Sequence, residues 1–207
     1  MQDWKLFLAP YSQAVEELKI KLKGIREQYK IQSIHSPIEY ITGRVKPIHS
    51  IIEKAKRKNI SLDDIEENLY DIAGVRMVCQ FKDDIDYVIH LLRKRKDFEI
   101  VEERDYIHHK KDSGYRSYHI VIRYPVETIN GTKHIFVEIQ IRTLAMNFWA
   151  TIEHSLNYKY HGQIPKDIQN RLLRASEAAS QLDEEMSIIR EEVQEAQRIF
   201  LHKEENE

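Results

Sequence analysis

The sequence is short of most features that would narrow its class at once. A single cysteine, Cys79, excludes an intrachain disulfide framework and a cysteine-based zinc site. Six glycines and five prolines in 207 residues are too few for a disordered or low-complexity chain. Net charge is nearly absent: 32 Lys and Arg face 34 Asp and Glu, a formal −2, so no bulk attraction to nucleic acid is implied. No apolar run approaches the ~20 residues of a membrane span. The uncharged stretch at residues 6–15 is broken by Pro10 and followed by Glu16 and Glu17, which does not resemble an export signal. Walker A, GxGxxG, GxSxG, HExxH and kinase signatures are missing, so any phosphate handling uses another architecture. The expectation is one domain over residues 1–207, without a membrane segment, in the cytoplasm.

What is present is segregated charge and a change of hydrophobic period. Residues 5–57 are mostly basic and 183–207 mostly acidic, so an anionic ligand would seek the first half. Val15, Leu18, Leu22, Ile25 and Tyr29 recur at helical steps, predicting a helix over about 11–30. Ser36-Pro37 is read as opening a second helix, interrupted near Thr42-Gly43 and continuing through Ile48, Ile51, Ile52 and Ala55. A short helix follows Ser61. Alternation then predicts strands at 73–81, 98–104, 118–124 and 134–142, with a helix at 83–95 after the first of them. Asn130-Gly131 marks a hairpin, so the last two strands should be antiparallel. Helices are expected at 143–158 and from Pro165 to near the end. Within the last helix, Leu182, Met186, Ile189, Val193, Ala196 and Phe200 follow heptad spacing. That seam either packs on its own domain or pairs with another subunit; the heavy charge elsewhere on the helix favours a partner.

Several clusters carry chemistry. Glu138, Gln140 and Arg142 share one face of the last strand, while Val137, Ile139 and Ile141 fill the other. The polar face is either an edge turned to water or the floor of a cleft with Glu138 as base or metal ligand. Asp71 precedes the first strand; alone it reads as a turn residue, but with Glu138 it supplies the two carboxylates that hold magnesium beside phosphates. Arg44 and Lys46 sit in a Gly- and Pro-limited stretch, with Lys54, Lys56, Arg57 and Lys58 further on. The loop at 108–119 places Tyr115 beside Gly114, among Lys110, Lys111, Arg116 and His119, a setting in which an aromatic can stack a base. Asn147, His154 and Asn157 share a helical side; Trp149 and Leu156 are read as core.

Taken in order, TGRVKP at 42–47, YDIAGVR at 70–76, SGYRSYH at 113–119 and VEIQIRTLAMNFWATIEHSLNYKY at 137–160 resemble the synthetase domain of the RelA/SpoT family. The likeness is strongest to its stand-alone small alarmone synthetases of the RelQ type. It extends to FLAPYSQAVEELKIKLKGIR and RASEAASQLDEEMS, and so covers essentially the whole chain. The resemblance implies an α/β (α+β) fold: a nucleotidyltransferase-like mixed β-sheet flanked by helices, with further helices at both ends. It implies transfer of the β,γ-diphosphate of ATP to the 3′-hydroxyl of GDP or GTP, with GMP a further acceptor to test, giving ppGpp or pppGpp and AMP. By motif, Arg44 and Arg76 would sandwich adenine, and Lys46, Lys54 and Arg57 would meet the ATP phosphates. Asp71 and Glu138 would hold Mg2+, with Glu138 also the general base. Tyr115 would stack guanine, and Arg104, Lys111, Gln140, Asn147 and His154 would line the acceptor side.

The resemblance implies assembly and regulation as well. A homotetramer is expected, with the helix at 166–201 in contact. The group's activator pppGpp would meet Lys23, Arg26, Glu39, Tyr40, Thr42 and Asn147, where Tyr40 replaces an expected phenylalanine. Single-stranded RNA is a secondary ligand in this reading. The chain contains no His-Asp dipeptide and has no room for the hydrolase or regulatory domains of longer relatives, so synthesis alone is expected. The competing reading is a catalytically silent nucleotide sensor or RNA-binding regulator on the same fold. The presence of the full carboxylate and cation set argues against it.

Overall fold

The computed structural model describes residues 3–160 and 164–204. Its elements are α1 (Trp4–Ile31), β1 (Tyr40–Val45), α2 (Ile48–Arg57), a 3-10 turn (Leu62–Asp64), α3 (Ile65–Asn68), β2 (Ala73–Cys79), α4 (Lys82–Arg93), β3 (Glu99–Asp105), β4 (Tyr118–Thr128), β5 (Gly131–Thr143), α5 (Leu144–Lys159) and α6 (Lys166–Glu204). The Asp3 carboxylate accepts from the amides of Lys5 and Leu6 and so starts α1 earlier than its apolar period indicates.

The strands form one mixed sheet in the order β1-β2-β5-β4-β3. Only β2 and β5 run parallel; every other neighbouring pair is antiparallel. The hairpin at Asn130-Gly131 joins β4 to β5 as its turn chemistry predicts, with Gly131 at φ 99°. One face of the sheet carries Ile41, Val75, Met77, Ile120, Ile122, Val137, Ile139 and Ile141, all buried within one apolar core. Helices α1 and α4 pack on the sheet and contribute Leu18, Leu22, Ile85, Val88 and Leu92 to that core.

The structure corrects the expected interrupted helix between Ser36 and Lys58. Residues 40–45 form a strand paired antiparallel with β2, and the helix begins only at Ile48, after Pro47. Tyr, Ile, Thr and Val in six residues favour a pleated surface. Gly43 also admits α1: a Cβ there would lie 2.6 Å from Val15 Cγ1. The sheet therefore has five strands rather than about four.

Two further expectations concern the C-terminal helices. Trp149 is buried and its indole N–H donates to Leu172 O at 2.8 Å, but Leu156 is 46% exposed and is not core. On α6 the heptad residues Leu182, Met186, Ile189, Val193 and Phe200 are 40–62% exposed, so their own domain leaves much of that seam open. The residues α6 buries include Ser176 and Asp183; Asp183 accepts a hydrogen bond from Thr143 Oγ1 at 2.6 Å.

Candidate functional site

Strand register assembles the floor of the site. Following the pairing across the sheet, Thr42, Arg76, Gln140, His119 and Arg104 form one row on the face opposite the core. The next row is Arg44, Gly74, Glu138, Val121 and Glu102. A sheet face bearing this much charge cannot be packed apolar core. Gly74 contributes no side chain between Arg44 and Glu138, and a cleft of about 250 Å³ opens there. Thr42, Arg44, Asp71, Arg76, Glu138 and Gln140 line it, so the polar face is a cleft floor rather than a solvated edge.

The two carboxylates have different company. Lys46 Nζ and Lys54 Nζ both donate to Asp71 Oδ2, Lys54 at 2.5 Å, while Asp71 Oδ1 is buried without a hydrogen-bond partner among the described residues. Burial would raise the Asp71 carboxyl, but the hydrogen bonds and charges of the two lysines overcome it and hold it below its ordinary value. Burial likewise pulls the Lys46 ammonium down. Glu138 sits deeper in the sheet. His119 Nδ1 meets its Oε1 at 3.0 Å, and Gln140 Nε2 donates to its Oε2 at 2.8 Å. Burial pushes this carboxyl up, and His119 and Gln140 outweigh it, leaving Glu138 below its ordinary value.

A chain of hydrogen bonds leads from Glu138 to the loop before β4. Tyr115 Oη lies 2.8 Å from His119 Nε2 and accepts from Arg142 Nη2 at 2.6 Å. One proton on His119 Nδ1 satisfies every step: Arg142 donates to Tyr115, Tyr115 to His119, and His119 to Glu138. Arg142 also donates to Gln140 Oε1 at 2.9 Å. Arg76 donates to Asn147 Oδ1 at 3.2 Å and Gln140 Oε1 at 3.4 Å, and its buried Nε has no partner among the described residues. Burial, then Arg142 and Arg44, lowers the Arg76 guanidinium to about 10, so it still carries its charge at neutral pH.

The structure thus brings Arg44, Lys46, Lys54, Asp71, Arg76, Tyr115, Glu138, Gln140 and Asn147 together. Lys111 Nζ lies 4.5 Å from the Tyr106 ring centre and 5.1 Å from that of Tyr115. Arg104 forks onto Glu102 with two contacts of 2.6 Å at the far end of the row. Arg57 is exposed at the end of α2, and His154 is exposed further along α5 than Asn147. Of the second group, Arg26 and Glu39 line a separate hollow of about 240 Å³ with Lys30, His35 and Gln80. Lys23 is exposed on α1, Thr42 borders the sheet cleft instead, and Tyr40 Oη accepts from Asn147 Nδ2 at 2.9 Å between the two. Sequence reasoning put Arg142 on the polar face of the last strand and His119 in the loop at 108–119, but gave neither an individual role. Alternation on β4 combined with the Asn130-Gly131 register places His119 opposite Gln140 and diagonal to Glu138, so that signal existed.

Among the described residues no group of three or more His, Cys, Asp or Glu side chains is placed to hold a metal. The donor set nevertheless fits magnesium, which takes one or two carboxylates and completes its shell with water and phosphate oxygens. Asp71 offers a buried, unpartnered oxygen beside the same cleft as Glu138.

Comparison with known proteins accords with this geometry. Residues 43–163 match the region found in RelA / SpoT proteins. The GTP pyrophosphokinase YjbM of Bacillus subtilis is 64% identical over 202 residues, spanning 98% of this chain and 95% of that protein. The crystal structure of small alarmone synthetase 1 from Bacillus subtilis bound to its product pppGpp superposes with TM-score 0.91 at 64% identity, covering 94% of this chain and 100% of that one. A GTP pyrophosphokinase family protein from Streptococcus pneumoniae gives TM-score 0.90 at 60% identity over 95% of this chain and 97% of its own. The chain therefore belongs to the RelA/SpoT family and, by a likeness that reaches through both terminal helices, to its small alarmone synthetases: it is a GTP pyrophosphokinase, making (p)ppGpp from ATP and GDP or GTP.

Proposed function

We propose that synthesis runs in the β2–β5 cleft, with ATP over β1 and β2 and the acceptor nucleotide over β4 and β5. The observation that carries this reading is the pair of carboxylates, Asp71 and Glu138, in one cleft whose cations come from the β1 side and whose aromatic loop comes from the β4 side. Arg44 and Arg76 take the adenine between their guanidinium planes, and Lys46, Lys54 and Arg57 meet the triphosphate. Tyr115 stacks the guanine, with Lys111 and Arg104 near its phosphates and Gln140, Asn147 and His154 around it.

In the reaction the ribose 3′-oxygen attacks the β-phosphorus of ATP, and its proton passes to Glu138. The bond from that phosphorus to the oxygen bridging the α-phosphate breaks, and AMP leaves with the electron pair. Such transfer depends on in-line placement and charge neutralisation. Glu138, held below its ordinary value, is ionised and able to accept a proton; phosphate charge brought by the substrates raises its affinity for one. Arrival of a triphosphate gives Lys46 and Lys54 a new anion and frees Asp71. Asp71 and Glu138 would hold Mg2+, which neutralises phosphate oxygens when bound.

The finer partners belong to the same proposal. The exposed α6 stripe, with Phe148 71% exposed beside it, supports assembly into a homotetramer. The Arg26–Glu39 hollow supports a regulatory site for pppGpp, coupled to the cleft through Tyr40 and Asn147. No helix among the described residues is long and apolar enough to cross a membrane, and the cytoplasm, with its ATP and GTP pools, is the proposed setting. Single-stranded RNA as a regulator rests on the group resemblance alone.

The test is anion-exchange separation of products after mixing protein, ATP, magnesium and GDP, GTP or GMP, with and without pppGpp or RNA. A tetra- or pentaphosphate with matching AMP is expected, and its absence in every mixture would overturn the assignment. Faster turnover with pppGpp supports the second site; light scattering of the same sample reads the assembly.

A further inference from the structure

The segment RASEAASQLDEEMS has no role in the chemistry above, yet Ser176 within it is only 4% exposed, while its neighbours Arg174, Ala175, Glu177 and Ala178 are exposed. Its hydroxyl donates to the carbonyl of Gly114, the residue before Tyr115. It also accepts from Arg116 Nη1 at 2.8 Å, and the same nitrogen donates to the Ser176 carbonyl at 3.2 Å and approaches Gly114 O at 3.4 Å. The helix thus grips both residues flanking Tyr115. Gly114 fits this grip twice over: its φ is +88°, and a Cβ there would stand 2.7 Å from Ser176 Cβ. Next to it, Lys110 pairs with Glu177 at 3.0 Å. Inside the loop, Gly114 N donates to Lys111 O at 2.8 Å and Lys111 N to Tyr115 O at 3.2 Å.

We propose that Ser176 is a positioning residue for the acceptor site: through Gly114 and Arg116 it holds the loop so that Tyr115 is already in its binding posture before the acceptor nucleotide arrives. This rests on the reading of Tyr115 as the guanine platform. A loop fixed in advance loses little freedom on binding, whereas a loose one is competent only part of the time, and apparent affinity falls by that fraction. The hydroxyl is suited to the task because it is donor and acceptor at once, closing a ring between the Gly114 carbonyl and the Arg116 guanidinium. Alanine keeps the helix and removes both hydroxyl bonds, leaving Arg116 only the main-chain carbonyls of Ser176 and Gly114.

The experiment compares Ser176→Ala, Arg116→Gln, the double variant and Tyr115→Ala with the parent enzyme. KM is measured for GDP and for ATP, with kcat at saturation, melting temperature, and hydrogen exchange of amides 108–117. Ser176→Ala and Arg116→Gln are each expected to raise the GDP KM roughly tenfold, with ATP KM and kcat nearly unchanged and loop amides exchanging faster. The double variant should be little worse than either single one. Tyr115→Ala raising the GDP KM while Ser176→Ala leaves it within about twofold would overturn the clasp and keep the guanine platform. An unchanged GDP KM in Tyr115→Ala would overturn the platform and the clasp with it. Equal rises for GDP and ATP with a lowered melting temperature would show general loosening and also overturn the proposal.

Discussion

The surroundings of Asp71 and of Glu138 solve one problem in two ways. Both carboxylates are buried enough that desolvation favours the neutral acid, and both are held ionised. At Asp71 two lysines on long stems supply charge, one from the β1–α2 junction and one from α2. At Glu138 the neighbours are short side chains on the sheet itself, His119 and Gln140, each fixed by further hydrogen bonds. The first arrangement can be exchanged for phosphate without moving the backbone. The second is tied into the sheet by a chain of hydrogen bonds that substrate phosphate does not replace in the proposed reaction. The contrast suits the proposed roles: Asp71 is freed for metal when substrate comes, and Glu138 stays aimed as base.

The largest test of that contrast is Glu138→Gln. The amide keeps an acceptor for His119 but cannot take a proton. Synthesis should fall on the order of 10³-fold while ATP binding, read by calorimetry, persists. Normal turnover would remove Glu138 from the role of base and make the two sites equivalent.

Asp71→Asn should cost less, on the order of 10²-fold at fixed magnesium, because substrate phosphates and Glu138 still offer ligands. The distinguishing readout is a titration with Mg2+: part of the loss should be recovered at high magnesium in Asp71→Asn and none in Glu138→Gln. Recovery in both would mean that Glu138 acts through the metal alone and is not the base.

His119→Ala sharpens the comparison from the side of the rigid network. His119 is the leading influence holding Glu138 down, so its removal raises the Glu138 carboxyl. The acid limb of the kcat/KM profile should therefore move to higher pH. The parallel change at the other site, Lys54→Ala, leaves Lys46 on Asp71 and should leave that limb in place. An unmoved limb in His119→Ala would show that the hydrogen-bond chain to Tyr115 does not set the base.

Much of this contrast was legible in the sequence, for reasons that differ by residue. Alternation on residues 134–142 shows directly that Glu138 and Gln140 leave the core face, because strand period alone decides it. The Asn130-Gly131 turn fixes the β4–β5 register, and with it the position of His119. β1 was hidden because a six-residue strand with a central glycine has little periodicity, and the apolar residues after it extend a helical pattern backwards. Its value as a strand lies in pairing with β2 and in the approach of Val15 to Gly43, both long-range facts. Ser176 is hidden for the same reason: a serine within a charged helix looks solvated until Gly114, 62 positions away, is placed against it. The exposed α6 stripe was legible because heptad spacing is local.

The smallest effect lies in acid stability, and it separates the two sites by mechanism rather than by size. Both folded-state carboxyls lie below their ordinary values of 3.8 and 4.5, so each stabilises the fold above those values and loses that contribution as pH falls through the folded value. Asp71→Asn and Glu138→Gln should each flatten the acid limb of a denaturation curve below about pH 4.5, with no gain on the alkaline side. Salt should then tell them apart. The lysine pair on Asp71 acts through full charges on half-buried stems, which added ions screen. The Glu138 network relies more on hydrogen bonds of ordinary length, 3.0 and 2.8 Å, in a buried row, where screening is weak. The salt dependence of unfolding near neutral pH should thus shrink in Asp71→Asn and persist in Glu138→Gln. The reverse order would place the exchangeable charge at Glu138 and the fixed one at Asp71.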